Sequence, residues 1–309
     1  MVEQKEQTAG VIAGSLAYFI WGVLPIYWKL AGGVDSAEVL ANRIVWSFVF
    51  MIVLLLCLGK LSGTYKESKS VFSNKKRFLA ITAASALITL NWFIFIFVVH
   101  SDHVIDASLG YYINPLMNIV LATLFLKERL TKAETVSVVL ATIGVIILSI
   151  HHGAIPWSSL AMALTFSLYG LIKKVLPIGA WSGLTIETLL ITPFALLYLF
   201  IVPSRGFMAY DTGTLFVLIG AGVVTAVPLL LFALGAKKIS FSLIGFLQYI
   251  APTMMLILGV FLFHEPFDET QLLAFIWIWV ALILFTASRT AAAARMKKKA
   301  GAVRQNMGG

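Results

Sequence analysis

The sequence predicts an all-α membrane protein with ten transmembrane helices arranged as two five-helix inverted repeats. Three observations predict it. Hydrophobic residues are 60% of the 309 positions and charged residues only 12%, about half the charged share of a soluble domain. A chain of this length could not hide so much apolar surface in a water-surrounded core. The apolar residues form long continuous runs, without the alternation of a membrane barrel. Finally, one motif recurs at a fixed distance in the two halves of the chain.

The runs lie at 10–30, 37–59, 78–100, 104–126, 134–151, 156–172, 182–202, 214–234, 241–263 and 271–288. Each approaches the roughly 20 residues that a helix needs to cross hydrocarbon; the fifth, sixth and tenth are the shortest. The first run follows Glu3, Lys5 and Glu6 and is too long and aromatic for a signal-peptide core, so it reads as a retained span. Gly10 and Gly14 give it a small-residue face for close packing. Cys57, in the apolar stretch Met51 to Leu58, reads as a packing residue and is the one cysteine, which excludes an internal disulfide and a cysteine-based metal cluster. The organisation read from these runs is a cytoplasmic tail at 1–9, a first repeat at 10–151, a second at 156–288 and a basic, solvated cytoplasmic tail at 289–309.

The formal charge of +9 would suggest nucleic acid in a soluble protein. Here topology explains it, and no nucleic-acid partner is expected. Lys60, Lys66, Lys69, Lys75, Lys76 and Arg77 follow the second span; Lys127, Arg129 and Lys132 follow the fourth. Lys173 and Lys174 follow the sixth, Lys237 and Lys238 the eighth, and six further basic residues lie in the C-terminal tail. All fall on one side of a ten-span map, and only Lys29, Arg43 and Arg205 fall elsewhere. Basic residues favour the cytoplasmic side, so the map places both termini there, in a bacterial-type plasma membrane.

Tyr112-Ile113-Asn114-Pro115 recurs as Tyr249-Ile250-Ala251-Pro252, and a glutamate follows each proline by thirteen residues, Glu128 and Glu265. The offset is 137 residues throughout, with a weaker echo joining Trp21-Gly22 to Tyr169-Gly170. An odd number of spans per half inverts one half relative to the other. Inverted repeats are a common architecture of secondary transporters, whose sites lie near the midplane between the repeats. A duplication that merely makes a stable bundle is the plainer alternative.

At these residues the sequence resembles the EamA family of the drug/metabolite transporter superfamily, and within it the RarD-type branch. The matching features are Trp21-Gly22 through Pro25, Tyr27, Trp28 and Lys29; Arg43 within Asn42 to Ser47; Asn91-Trp92; the Ser108–Pro115 string; and the Gly245–Pro252 string. The resemblance implies the drug/metabolite transporter fold, with ten spans in two inverted five-span halves. It also implies a central cavity lined by the fourth and ninth spans together with the first, third, sixth and eighth. It further implies export of amino acids, nucleosides, drugs or other metabolites. The RarD name is associated with chloramphenicol sensitivity or resistance, which fixes no natural substrate.

Pro115 and Pro252 sit near the middle of their spans. Proline lacks an N–H and displaces the carbonyl four residues back. The carbonyls of Tyr111 and Gln248 thus lose their partners and need new ones or a wet cavity. This predicts kinks with polar backbone beside Tyr111, Tyr112, Asn114, Gln248 and Tyr249, either facing a solute or satisfied by neighbouring helices. Tyr18, Trp21, Asn91, Trp92 and Tyr169 could stack on a planar or cationic solute, although membrane aromatics often serve the interface, as expected for Trp28, Trp157 and Trp181. Buried charge is rarer. Arg43 lies inside the second span and Glu187 inside the seventh, its inverted counterpart. One reading makes Arg43 an anchor for an anionic group and Glu187 a proton carrier; the other has these charges snorkel or pair to hold helices together.

His100, Asp102, His103 and Asp106 cluster in one turn, but polar residues belong there anyway, and no metal or cofactor is expected. Glu128 and Glu265 are expected to fix loop geometry or gate contacts. No Gly-x-Ser-x-Gly, His-Glu-x-x-His or phosphate-binding glycine loop is present, so no enzyme is expected. The leading reading is a secondary-active transporter exporting a small metabolite or drug by alternating access, with protons or a counter-substrate left open as the coupling species. A lipid-linked substrate flippase is the first alternative and a membrane-embedded enzyme the second. The partners are a small-molecule solute and the bilayer, and the oligomeric state is left open.

Overall fold

The computed structural model describes the backbone of residues 2–31, 33–100, 104–151, 157–203, 206–262, 264 and 267–306. Within these, the side chains of 2–4, 96–100, 104–109, 289 and 293–306 are not described. The turn of His100, Asp102, His103 and Asp106, and the residues Arg205 and Glu265, lie outside the described side chains. Among the described residues no group of three or more His, Cys, Asp or Glu could hold a metal ion.

The helices are α1 (Val2–Lys29), α2 (Ser36–Cys57), α3 (Leu61–Phe72), α4 (Lys75–His100), α5 (Val104–Phe125), α6 (Lys132–His151), α7 (Trp157–Val175), α8 (Ala180–Ile201), α9 (Thr212–Lys238), α10 (Phe241–Gln248), α11 (Ile250–Phe261) and α12 (Glu269–Asn306). Their ends are capped as their sequences dictate. Asp35 accepts from Ala37 N at 2.9 Å at the start of α2. Thr131 and Glu134 form a reciprocal capping box before α6, with Thr131 N to Glu134 Oε2 at 2.7 Å. Before α12, Asp268 accepts from Gln271 N at 2.8 Å and pairs with His151 at 2.8 Å. The Gln271 amide, with His151 beside it, holds the Asp268 carboxyl below the ordinary carboxylate range.

Eight helical stretches among the described residues are long and apolar enough to cross a membrane. The bundle's outer surface is correspondingly apolar: Phe200 is 84% exposed and Ile283 69%, which hydrocarbon tolerates and water does not. α5 and α7, the other two of the ten expected spans, fall outside these eight. The opening residues of α5 lie outside the described side chains. α7 carries Ser159, Thr165, Ser167 and Lys173, all buried. A helix enclosed by other helices needs no apolar face toward lipid, so α7 reads as less hydrophobic than a peripheral span.

The two halves interdigitate. The main helix contacts join one half to the other, and they come in reciprocal pairs: α1 packs on α9 as α7 packs on α4, and α1 on α11 as α7 on α5. The second helices of the halves, α2 and α8, pack on each other, as do α5 with α10 and α6 with α12. A two-fold relation between the halves produces this pattern. Small residues permit the crossings. A Cβ on Gly10 would come within 2.7 Å of Lys238 Cβ, and one on Gly235 within 3.0 Å of Gly10 O and Gly14 N. The tightest crossing is α2 on α9, where a Cβ on Gly222 would meet the Trp46 carbonyl carbon at 2.2 Å.

Four expectations need correction. The 60–77 loop holds the polar helix α3, whose Val71 packs with Ile81, Leu176, Ile178 and Ile186 and whose Glu67 accepts from Gly179 N at 2.6 Å. The segment from 289, expected as an unstructured tail beyond the last span, continues α12 as helix to Asn306, and α1 is already helical from Val2. Cys57 is exposed at the end of α2, because it falls on the outward side of its last turn. Lys173 is 3% exposed and does not reach solvent, although its position in sequence marked it as a flanking residue.

Gly222→Ala is expected to lower stability by about 1–3 kcal/mol through overpacking against the α2 backbone, whereas Gly63→Ala, with nothing within 4 Å, should not. Thermal unfolding of the purified protein in detergent compares the two; equal midpoints would show that α2 and α9 can separate freely.

Candidate functional site

Five helices enclose a narrow hollow at the centre of the bundle. Ile44 and Ser47 enter it from α2, Ile88 and Trp92 from α4, and Tyr169 from α7. Leu184, Glu187, Thr188 and Ile191 enter from α8, and Leu229 from α9. The volume open to water centres is about 10 Å³, the room of about one water molecule.

The lining obeys the repeat. An offset of 144 residues carries Arg43, Ile44 and Ser47 on α2 onto Glu187, Thr188 and Ile191 on α8. The 137-residue offset of the proline motif carries Ile88 and Trp92 on α4 onto Thr225 and Leu229 on α9. The hollow thus lies where equivalent faces of the two halves meet. The charges at equivalent places have opposite sign.

Glu187 is 2% exposed and fully engaged. Lys173 Nζ donates to its Oε1 at 2.8 Å and Tyr169 Oη to its Oε2 at 3.1 Å. Lys173 and Tyr169 are four residues apart on α7 and so share a face. The Tyr169 ring in turn stacks on Phe232, with centroids 6.1 Å apart. The ammonium neutralises the carboxylate where water cannot, and both groups keep hydrogen bonds.

Arg43 is held differently. Its guanidinium carbon lies 4.4 Å from the Trp92 ring centroid and 5.2 Å from that of Trp28, and Nε donates to Thr225 Oγ1 at 3.2 Å. Ser47, one turn along, shares its hydroxyl proton between Arg43 O at 2.5 Å and Gly222 O at 3.1 Å, which fixes α2 at its tightest crossing. Trp28 thereby belongs to the Arg43 site, where the sequence suggested only an interface anchor. Glu38 stays apart from Arg43 and accepts from Tyr210 Oη at 2.9 Å.

The remaining expected residues, on α1, α4, α5 and α10 and at Tyr249, are not among those that line the hollow and take other roles. Tyr18 and Trp21 form an aromatic cluster with Phe166 and Phe232. Among the described residues the buried hydroxyls of Tyr18 and Tyr249 have no partner. Asn91 ties α4 to α7, donating to Met162 O at 2.8 Å and Thr165 Oγ1 at 3.0 Å. Tyr111 lies edge-on to Phe95, with centroids 6.2 Å apart. Tyr112 donates to Pro252 O at 3.3 Å, Asn114 Oδ1 accepts from Ser167 at 2.8 Å, and Gln248 Oε1 accepts from Asn118 at 2.8 Å. These last three bonds join the proline helices to each other and to α7.

The two prolines act differently. α5 runs unbroken through Pro115, whose carbonyl lies where a Cβ on Gly245 would meet it at 2.8 Å. On the other side the helix stops at Gln248 and restarts at Ile250, so the break falls at Tyr249, three residues before Pro252, the 137-residue equivalent of Pro115. Glu128 reaches across the halves and accepts from Phe241 N at 2.7 Å and Ser242 N at 3.1 Å, capping α10. Sequence reasoning missed Lys173, Thr188 and Thr225. The spacing of Tyr169 and Lys173 was the available signal, since it puts a cation on the same face as a cavity aromatic.

Lys173→Met alone is expected to cost about 3–5 kcal/mol by leaving the Glu187 carboxylate without its counter-ion, while Lys173→Met with Glu187→Leu recovers most of the loss. Unfolding midpoints of the single and double variants measure this; a double variant no better than the single would remove the pair as the cause.

The sequence of the chain matches the EamA-like transporter family over residues 8–150. It is 44% identical to the uncharacterized transporter YojE of Bacillus subtilis, over 93% of this chain and 97% of that protein. It is 38% identical to protein RarD of Escherichia coli, over 92% of this chain and 96% of that one. A solved crystal structure of 17% identity superposes with a TM-score of 0.70, covering 90% of this chain and 97% of the other, and shares the fold.

Proposed function

We propose, from the premise that this chain belongs to the EamA-like transporter family and to its RarD-type branch, that it is a secondary-active carrier exporting a small metabolite or drug through the central hollow. The chain is a multi-pass bacterial membrane transporter; the route, direction and driving force are the proposal. The observation that carries it is a hollow walled by both halves, at matching positions, with space for about one water molecule. A pore would be continuous and wet. A space this small, shared by two interlocking halves, admits a solute only when the halves move, and rocking of one repeat against the other is the motion inverted repeats permit.

Glu187 supports coupling to protons. Its carboxylate stands on the hollow wall between an ammonium and a phenol, where a proton gained or lost changes the charge of the pathway. The distribution of Lys and Arg supports cytoplasmic termini, and the two repeats at 10–151 and 156–288 are the moving bodies.

Flux in proteoliposomes tests the reading, with a panel of water-soluble metabolites and drugs and an imposed pH gradient. Wild-type vesicles are expected to accumulate at least one solute. Glu187→Gln is expected to keep solute exchange while losing accumulation driven by the gradient, and Trp92→Ala to slow both by about tenfold, the loss of roughly 1.4 kcal/mol of binding. Unchanged gradient-driven accumulation in Glu187→Gln removes it as the proton carrier. Movement of a lipid-linked substrate with no flux of any water-soluble one overturns the carrier in favour of a flippase.

A further inference from the structure

We propose that Arg43 binds the anionic group of the transported solute, and that this solute is a small organic carboxylate with a flat or aliphatic body. The proposal rests on the carrier reading and names its substrate class.

The first observation is an unused fork. A guanidinium offers five N–H donors, and among the described residues Arg43 makes one hydrogen bond, to Thr225. Among the described residues no carboxylate lies within 4 Å of it. The faces of Trp28 and Trp92 attract the charge, yet a ring face leaves in-plane N–H groups unsatisfied. The pinned guanidinium therefore keeps its outer edge for a planar acceptor that can take two parallel bonds.

The second observation comes from the repeat. Glu187, the equivalent of Arg43 at 144 residues, has its counter-ion built in as Lys173. Lys173 stands four residues after Tyr169. The echo that relates Tyr169-Gly170 to Trp21-Gly22 puts Pro25 at the corresponding place on α1. Proline carries no charge, so the first half lacks the partner that the second half supplies. An uncompensated cation inside a membrane protein is expensive to keep, and a solute anion removes that cost while it is bound.

The third observation sets the body of the solute. Trp92, under the guanidinium, also lines the hollow, together with Ile44, Ile88, Leu184, Ile191 and Leu229. An apolar body fits that wall. A phosphate monoester would bring a second negative charge onto a wall that already carries the Glu187 carboxylate.

Binding to the full-length protein in detergent tests the inference, with benzoate as the probe, benzamide and benzylamine as its neutral and cationic analogues, and phenyl phosphate as the competing anion. Benzoate is expected to raise the unfolding midpoint and change tryptophan fluorescence saturably, benzamide and benzylamine to do neither, and phenyl phosphate to bind at least tenfold more weakly. Arg43→Gln is expected to weaken benzoate binding by tenfold or more, and Trp92→Phe to remove most of the fluorescence change. Equal benzoate affinity in Arg43→Gln, equal binding of benzamide, or phenyl phosphate binding as well as benzoate overturns the proposal. Should Arg43→Gln fail to fold, the analogue series on the wild type decides alone, and benzamide or phenyl phosphate binding as well as benzoate overturns it. Solute exchange in proteoliposomes without benzoate binding leaves the carrier and sinks the anion site; benzoate binding without flux of any solute does the reverse.

Discussion

At Gly222 the helices α2 and α9, from different halves, approach so closely that a single Cβ would overlap the Trp46 peptide. That contact places everything that follows. Ser47 donates to the Gly222 carbonyl, which sets the rotation of α2, and the same rotation turns Arg43 toward Thr225 and brings Ile44 and Ser47 to the hollow. In hydrocarbon, association of helices draws on close packing and hydrogen bonds rather than on water exclusion. Glycine supplies the approach here and serine the bond. The crossings at Gly10–Gly235, Gly144–Ala274 and Gly245–Pro115 repeat the device around the bundle.

Interlocking of the halves has a chemical consequence. Because each half packs chiefly on the other, three equivalent pairs face one space: Ile44 with Thr188, Ser47 with Ile191 and Trp92 with Leu229. Equivalence in the backbone does not require equivalence in charge: one half presents Arg43 and the other Glu187 together with Lys173. The carboxylate is neutralised in place and bonded by Tyr169, so it is held in a fixed geometry. The guanidinium is oriented by aromatic faces and one hydroxyl and keeps its outer donors. Opposite charges at equivalent positions make the two halves electrostatically unlike, which their related backbones alone would not.

The proline helices do a different job from the one their composition suggests. Tyr112, Asn114 and Gln248 spend their polar groups on Pro252 O, Ser167 and Asn118. These bonds compensate the backbone that proline disrupts, as a low-dielectric surrounding requires. Glu128 capping α10 across the halves extends the same tie to the helix end. Together they tie α5 to α10, α11 and α7.

The sequence by itself determined the membrane class, the positions of most spans, the repeat with its 137-residue offset, and the presence of two ionisable groups, Arg43 and Glu187, inside apolar runs. Each follows from hydropathy, length or identity, which need no third dimension. Tertiary structure decided which groups meet. Lys173 lies at the edge of its span in the sequence and looked like a flanking charge; only the rotation of α7 against α8 turns it inward to Glu187. The contacts of Arg43 with Trp28 and Trp92 join three helices of the first half, and the polar helix α3 owes its buried Val71 to Ile81 on α4 and to Leu176, Ile178 and Ile186 from the other half. Hydropathy measures what a segment prefers on average, whereas the partner of a buried charge depends on helix rotation and crossing angle, and those are fixed by contacts that no single segment contains.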